Sequence, residues 1–425
     1  MDDTIFALSS GTPPAAIAVV RISGTAAGEA LEALAGSRPE PRHAVLRTLR
    51  GTEGEVLDRA LVLWFPGPAS TTGEDLAELH LHGGRAVVAA VERALAAMDK
   101  LRRATPGEFT RRAFANGRID LAEAEGLADL LQAETELQRR NAMALAGGAL
   151  SRQVEDWRER LLVLSAQVES ALDFADEDDV GTIPPAFTEG VSALGGEIRA
   201  WLDRPRSEML REGYRVVLAG PPNAGKSRLF NALLESDAAI VSEIAGTTRD
   251  VLSRSVAIGG VPFQLFDTAG IREKTSDPIE REGIARARGA FEGADLVLWL
   301  GKEGAGPAGA WEIETRSDLD GRERKSGSRH LVSAMTGEGM PALLGDLAET
   351  ARRSLPMPGE VALNARQGRL LDLASVALAD AAGETDPLLV AENLRAARVA
   401  FDSLLGRTTT EDMLDALFGR FCIGK

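Results

Sequence analysis

The chain has 425 residues, 44% hydrophobic and 26% charged, with a formal net charge of -16 at pH 7 and a single cysteine. That length suits two or three domains with real cores, and the acidic balance argues against gripping nucleic acid through a broad basic face, since phosphate neutralisation dominates non-specific affinity. Lone Cys422 forbids an intramolecular disulfide, no apolar stretch approaches the roughly 20 residues of a membrane helix, and Asp2-Asp3 open the chain without a signal-peptide pattern, so a soluble cytoplasmic protein is expected.

Residues 1–118 read as a compact α/β unit of short strands. Ala16 to Ile22 and Ala60 to Phe65 are strand runs stopped by Gly or Pro. From Leu76 to His82, alternation sets Ala77, Leu79 and Leu81 on one face and Glu78, His80 and His82 on the other. A carboxylate between two imidazoles suits either a polar ligand site or a solvated strand face. A metal centre there would need further ligands that the sequence does not display.

From Ile119 the periodicity becomes helical, with Leu121, Ala124, Leu127, Leu130 and Leu131 at three- and four-residue steps. A second helix is expected over 151–174, striped by Leu161, Leu162, Leu164, Val168 and Leu172. An acidic loop follows at 175–185, and then a helix over 185–211.

The strand run Tyr214 to Ala219 leads into Gly220-Pro221-Pro222-Asn223-Ala224-Gly225-Lys226-Ser227 and a helix to Leu234, which together read as a P-loop. Its glycines let successive N–H groups turn toward a phosphate, Lys226 adds a point charge and Ser227 a magnesium ligand. A second strand, Val261 to Phe266, delivers Asp267-Thr268-Ala269-Gly270, where a carboxylate holds magnesium through water and Gly270 offers an N–H to a γ-phosphate. Gly246-Thr247-Thr248-Arg249-Asp250 lies between them as a switch that closes over the metal.

Guanine readers usually carry Asn-Lys-x-Asp; here Thr315-Arg316-Ser317-Asp318 keeps only the aspartate, and the segment before it is short. Ser333-Ala334-Met335, after the run His330 to Val332, suits the last guanine-contacting turn, so GTP is favoured over ATP. Ile271 stands where Ras-like switches place the water-orienting glutamine. Glu273, Asp277, Glu280 and Glu282 are the carboxylates near it, and spacing does not choose among them. Beyond Ser354-Leu355-Pro356-Met357-Pro358, helices are expected over 364–382, 388–406 and 410–421, so the P-loop module is inserted into a helical domain.

Thr12-Pro13-Pro14, Val20-Arg21-Ile22-Ser23-Gly24, Thr72-Gly73-Glu74-Asp75, Pro106 to Phe114, the G domain and the terminal Phe421-Cys422-Ile423-Gly424-Lys425 together resemble the MnmE (TrmE) family of tRNA-modifying GTPases over the whole chain. The resemblance implies an α/β plus all-α fold. A tetrahydrofolate-binding and dimerisation domain would span 1–118, a helical domain 119–212 and 357–425, and an inserted Ras-like G domain 213–356.

It further implies a potassium-activated GTPase that forms a homodimer and works in a heterotetramer with the flavoprotein MnmG (GidA), which carries the FAD. The pair would install an aminomethyl or carboxymethylaminomethyl group at C5 of the wobble uridine of tRNA, with 5-formyl- or 5,10-methylene-tetrahydrofolate supplying one carbon. A partner carrying much of the tRNA grip reconciles an acidic chain with an RNA substrate.

Family positions map the nucleotide onto Asn223-Ala224-Gly225-Lys226-Ser227-Arg228, Ser242-Glu243-Ile244-Ala245-Gly246-Thr247-Thr248, Asp267-Thr268-Ala269-Gly270, Asp318 and Ser333-Ala334-Met335. Magnesium maps onto Ser227 and Thr248, and potassium onto the Asn223 side chain with carbonyls around Ser242, Ile244 and Thr247. Folate maps onto Arg21, Glu78, Arg118 (where relatives carry lysine) and Lys425, and the water-orienting glutamate onto Glu280. Cys422 stands either as a nucleophile or one-carbon carrier or as a structural thiol. A ribosome-assembly-type GTPase switch without modification activity, and a weakened G site on a structural scaffold, stay open as other readings.

Overall fold

In a computed structural model, residues 3–173, 185–205, 207–236, 239–241, 253–267, 293–315, 325–356, 360–408 and 410–424 are described. The chain groups into two compact units, Met1–Ala128 with Leu150–Glu155 and Phe401–Lys425, and Asp129–Ala149 with Asp156–Ala400. The acidic loop expected after residue 174 lies outside the described residues. No helix among the described residues is long and apolar enough to cross a membrane.

In the first unit, β1 (Thr4–Leu8), β2 (Ile17–Ser23), β3 (Val45–Arg50), β4 (Val56–Phe65), β5 (Leu76–His82) and β6 (Leu101–Arg103) form one sheet in the order β3-β4-β5-β2-β1-β6. Alternation turns one face inward. Phe6, Val20, Ile22, Val62 and the β5 residues Ala77, Leu79 and Leu81 pack there with Leu31 and Leu34 of α1 (Ala27–Ala35) and Val88, Val91 and Leu95 of α2 (Arg85–Ala96). The other face meets Phe109 of α3 (Glu108–Ala115) beneath Ile5 and Ala7 of β1. Toward β3 that face is open, leaving Ile17, Leu46 and Leu61 exposed.

Leu121, Ala124 and Ala128 of α4 (Leu121–Gln132) pack with Leu414, Phe418 and Phe421, which anchors the end of the chain to this unit. Ile423 bridges to Pro106. Gly424 has φ 96, and a Cβ there would sit 2.1 Å from the Leu8 carbonyl oxygen, so only glycine lets the tail approach β1 this closely. Because Ala7 and Leu8 pair with Arg21 and Val20, the tail runs beside the stretch of sheet that carries Arg21.

A charged cluster ties α3 to β1 and to the loop before β5. The Arg112 side chain is only 1% exposed, and its guanidinium donates to the Asp3 backbone oxygen and Oδ1 at 2.9 Å, to Glu74 Oε2 at 3.1 Å and to Glu108 Oε1 at 3.2 Å. Arg102 completes the cluster with bonds to Glu108 at 2.5 and 2.9 Å and to Asp3 at 2.6 Å. Burial by itself raises the Glu108 carboxyl; donation from Arg102, the Thr105 N–H and Arg112 outweighs it and brings the pKa down to about 2.

In the second unit, α5 (Glu136–Ala146) is capped by Thr135 and Gln138 in a reciprocal capping box. α6 (Ala149–Asp173), whose Leu150–Glu155 stretch groups with the first unit, and α7 (Pro185–Leu202) follow. The helix expected over 185–211 is instead two, with α8 (Ser207–Glu212) separate. Pro205 explains the break, since it has no N–H to donate and biases Arg204 away from helical dihedrals.

β7 (Tyr214–Ala219), α9 (Lys226–Leu234), β8 (Ala239–Val241), β9 (Ser253–Ile258), β10 (Val261–Asp267), β11 (Leu296–Trp299), β12 (Trp311–Thr315) and β13 (His330–Val332) follow. Their sheet order is β13-β12-β11-β7-β10-β9-β8. The strands from β13 to β10 in that order are parallel, and β9 pairs antiparallel with both β10 and β8. The near-continuous apolar run of β7 follows from burial on both faces. No helix covers the β11–β12 crossover, which is a glycine-rich loop over 300–310, and this is the short segment noted in the sequence.

Helix α10 (Met340–Ser354) closes the nucleotide module, and α11 (Ala365–Gly383) and α12 (Pro387–Leu404) resume the helical part. Where the chain enters and leaves the module its two strands are zipped, with Ser207 N donating to Leu363 O at 3.0 Å and Ala365 N to Glu208 Oε1 at 2.5 Å. α5 grips both. Gln138 Nε2 donates to Leu210 O at 2.8 Å, and buried Asn141 Oδ1 accepts from Ala362 N at 2.9 Å. Asn141→Ala strips a buried N–H of its acceptor and is expected to cost about 1–3 kcal/mol. A lower urea midpoint for the second unit checks this, and a midpoint equal to wild type would refute the clasp.

Candidate functional site

All the described phosphate- and base-side residues follow the carboxyl ends of parallel strands, the edge where open α/β sheets hold ligands. β7 ends at Ala219 and opens into the 220–225 loop, in which Asn223 has φ 64 and Gly225 φ 97. These left-handed residues curl the backbone so that α9 begins at Lys226 with its free N–H groups at the loop. Lys226 is buried, and its Nζ donates to Gly220 O at 2.8 Å and Pro221 O at 3.0 Å. Burial lowers its pKa, and the negative charge of Asp267 works against that shift. Ser227, Arg228 and Asn223 are exposed at the mouth of the loop and Ala224 is half-buried.

Asp267 ends β10 and lies directly opposite Leu218 of β7, which brings its carboxylate to the loop. Ser333, fully buried just after β13, accepts at Oγ from Met335 N and Thr336 N at 3.3 and 3.2 Å, shaping a turn that leaves Met335 exposed. The expected positions Ser242 to Thr248, Thr268 to Gly270, Glu280, Asp318 and Lys425 lie outside the described residues. Thr315, which the sequence marked only as a departure from asparagine, donates Oγ1 to Ala224 O at 2.7 Å.

In the first unit, antiparallel register sets Arg21 of β2 opposite Glu78 of β5. Arg21 Nε and Nη2 donate to Glu78 Oε1 at 3.0 and 2.7 Å, and His80 Nε2 lies 3.2 Å from Oε2. Burial raises the Glu78 carboxyl, but Arg21 and then His80 hold it below its ordinary value overall. The expected flanking by two imidazoles is corrected here. His82 turns away to Asp58 at 2.7 Å, because β5 also borders β4, and Arg21 takes the second place beside Glu78. Arg118 lies against the loop before β5, where a Cβ on Gly73 would come within 3.2 Å of its Cγ. Cys422 is exposed, and its backbone oxygen accepts from Gly107 N at 3.5 Å. Neither Arg21 nor the tail carried a bottom-up signal, since the pairing joins residues far apart in sequence.

Comparison with known proteins agrees along the chain. The family model described as "GTP-binding protein TrmE N-terminus" matches residues 4–118, and "MnmE helical domain" matches residues 121–422. "tRNA modification GTPase MnmE" of Erythrobacter litoralis is 66% identical over 423 residues, covering 100% of both chains. The protein of that name from Novosphingobium aromaticivorans is 62% identical, also covering 100% of both, and that from Rhizorhabdus wittichii is 59% identical over 100% of this chain and 97% of its own. Among solved structures, the FeoB G-domain from Methanococcus jannaschii aligns with 33% of this chain and 98% of its own at 22% identity and a TM-score of 0.24. With a P-loop at the head of a parallel sheet and full-length similarity of this degree, the chain is a GTP hydrolase and belongs to the MnmE family of tRNA modification GTPases.

Proposed function

We propose that this GTPase is activated by potassium and, with the flavoprotein MnmG, modifies C5 of the wobble uridine (U34) of tRNA using a tetrahydrofolate one-carbon unit. The observation that carries the reading is the similarity to MnmE proteins over the full length of the chain, together with the terminal Cys422-Ile423-Gly424-Lys425 that the sequence itself displays.

The residues suit the groups assigned to them. The exposed Ser227 hydroxyl in the first turn of α9, with Asp267 nearby and Thr248, suits magnesium. Exposed Asn223, held left-handed at the loop's outer turn, suits potassium together with carbonyls around Ser242, Ile244 and Thr247. Such a cation supplies charge that offsets what develops at the β–γ bridge. Lys226 and the loop N–H groups hold the phosphates, Ser333 to Met335 and Asp318 border the base, and Glu280 orients the water.

The half-buried Glu78 carboxylate, held ionised by Arg21, offers an acceptor for amide and amine N–H groups of a pterin. Arg118 and Lys425 suit its carboxylate tail, and the folate supplies the carbon. Exposed Ile17, Leu46 and Leu61 on the open sheet face support homodimerisation through the first unit. The exposed Cys422 is consistent with a reducing cytoplasm.

The test is GTP hydrolysis by the purified chain in potassium against sodium at equal ionic strength, together with mass spectrometry of U34 after incubation with MnmG, GTP, folate and tRNA. A potassium stimulation on the order of 100-fold or more is expected, the scale of one transition-state charge contact, along with a modified U34. Equal rates and unmodified uridine would favour the ribosome-assembly-type switch instead.

A further inference from the structure

Thr315 is the half-buried last residue of β12, and its side chain meets the P-loop. Its Oγ1 donates to Ala224 O at 2.7 Å. The loop conformation that turns N–H groups toward a phosphate turns its carbonyls outward, and an outward carbonyl left without a donor costs free energy comparable to a lost hydrogen bond. At Gly225, φ is 97 and a Cβ would stand 3.2 Å from Thr315 Oγ1, so β12 presses directly on the loop one residue before Lys226. Thr315 also begins the segment that leads to Asp318.

We propose that Thr315 is a positioning residue of the GTP site, its hydroxyl fastening the Ala224 carbonyl so that the phosphate loop keeps its register against the end of β12. The proposal rests on the nucleotide reading of the P-loop. It also changes what the loss of the usual asparagine means. A hydroxyl at this position still secures the loop, so the departure from Asn-Lys-x-Asp does not remove the loop's support.

The test compares Thr315→Val, which keeps the shape without the hydroxyl, with Thr315→Ser, which keeps the hydroxyl. Both are made in the full-length chain and read by fluorescent GDP titration, GTP steady-state kinetics and thermal melting. For the valine variant, Kd for GDP and KM for GTP are expected to rise about tenfold, equivalent to about 1.4 kcal/mol, while kcat falls less than about threefold. Serine should return both constants to within about threefold of wild type, and all three proteins should melt at similar temperatures without nucleotide. Valine within twofold of wild type, or serine as weak as valine, would overturn the role of the hydroxyl. If the wild-type chain failed to bind GDP, the nucleotide reading itself would fall, an outcome visible in the same titration.

Discussion

Arg112→Ala is expected to destabilise the first unit by about 3–5 kcal/mol, the range for removing one partner of a buried ion cluster. Arg112 is 1% exposed and donates to Asp3, Glu74 and Glu108 at once. Without it, the Glu74 carboxylate keeps the Ser23 hydroxyl, which donates to its Oε2 at 2.8 Å, while Glu108 still has Arg102 and the Thr105 N–H. The uncompensated charge at Glu74, more than lost packing, is the source of the cost. Urea unfolding of the full chain, followed by a probe in the first unit, should show an early transition that leaves the second unit folded. Arg103→Ala is the control. Its partner Glu92 is bound at 2.9 Å, but Arg103 is 64% exposed, and such surface pairs contribute about 0–1 kcal/mol. Equal effects from the two variants would refute the assignment of stability to the cluster.

The same cluster sets an acid limit. Glu108 has a folded pKa of about 2 against an ordinary 4.5, so it is depressed in the folded state. Its contribution is fully present above the unfolded value and is lost as pH falls through 4.5 toward 2. Arg112→Ala removes one of the donors that depress it, so the variant should lose less additional stability than wild type across that window.

How much of this could be read from sequence depends on whether the contacts are local. The β7 strand and the P-loop are contiguous, and their glycine spacing is itself the signal, so the strand bounds Tyr214–Ala219 were legible outright. The split of β5 into apolar and polar faces was legible for the same reason, since alternation needs no partner strand. The Arg21–Glu78 pair was not, because it depends on the β2–β5 register, and nothing near Arg21 in sequence announces Glu78. Thr315 and Ala224 likewise meet only once β12 and β7 lie in one sheet, with β11 between them. The helix break at Pro205 was a local signal outweighed by apolar periodicity that continues on both sides. Resemblance to a family supplied the roles of Arg118 and the tail, for which a single sequence carries no physical pattern.

On the proposed nucleotide site, Lys226→Ala is expected to lower kcat/KM for GTP by about 100-fold or more, the scale of losing one pre-aimed charge from a phosphoryl-transfer site. The ammonium is buried at 6% exposure and already held over the loop by the carbonyls of Gly220 and Pro221. A bound phosphate exchanges those two neutral acceptors for anionic oxygens, and the reorganisation is small because the side chain stays where the loop has placed it. Alanine leaves both carbonyls without this donor and the phosphate without its charge. Arginine is no rescue, since a planar fork does not fit a buried position shaped for a compact ammonium. Structural damage is separated from lost binding by melting the protein with and without GDP. Saturating GDP at about 100 times Kd adds about 2.7 kcal/mol to wild type, and the alanine variant should gain almost nothing. A variant that kept that gain and turned over GTP within about threefold of wild type would leave Lys226 as a prop for the loop alone, with the phosphate charge met from elsewhere.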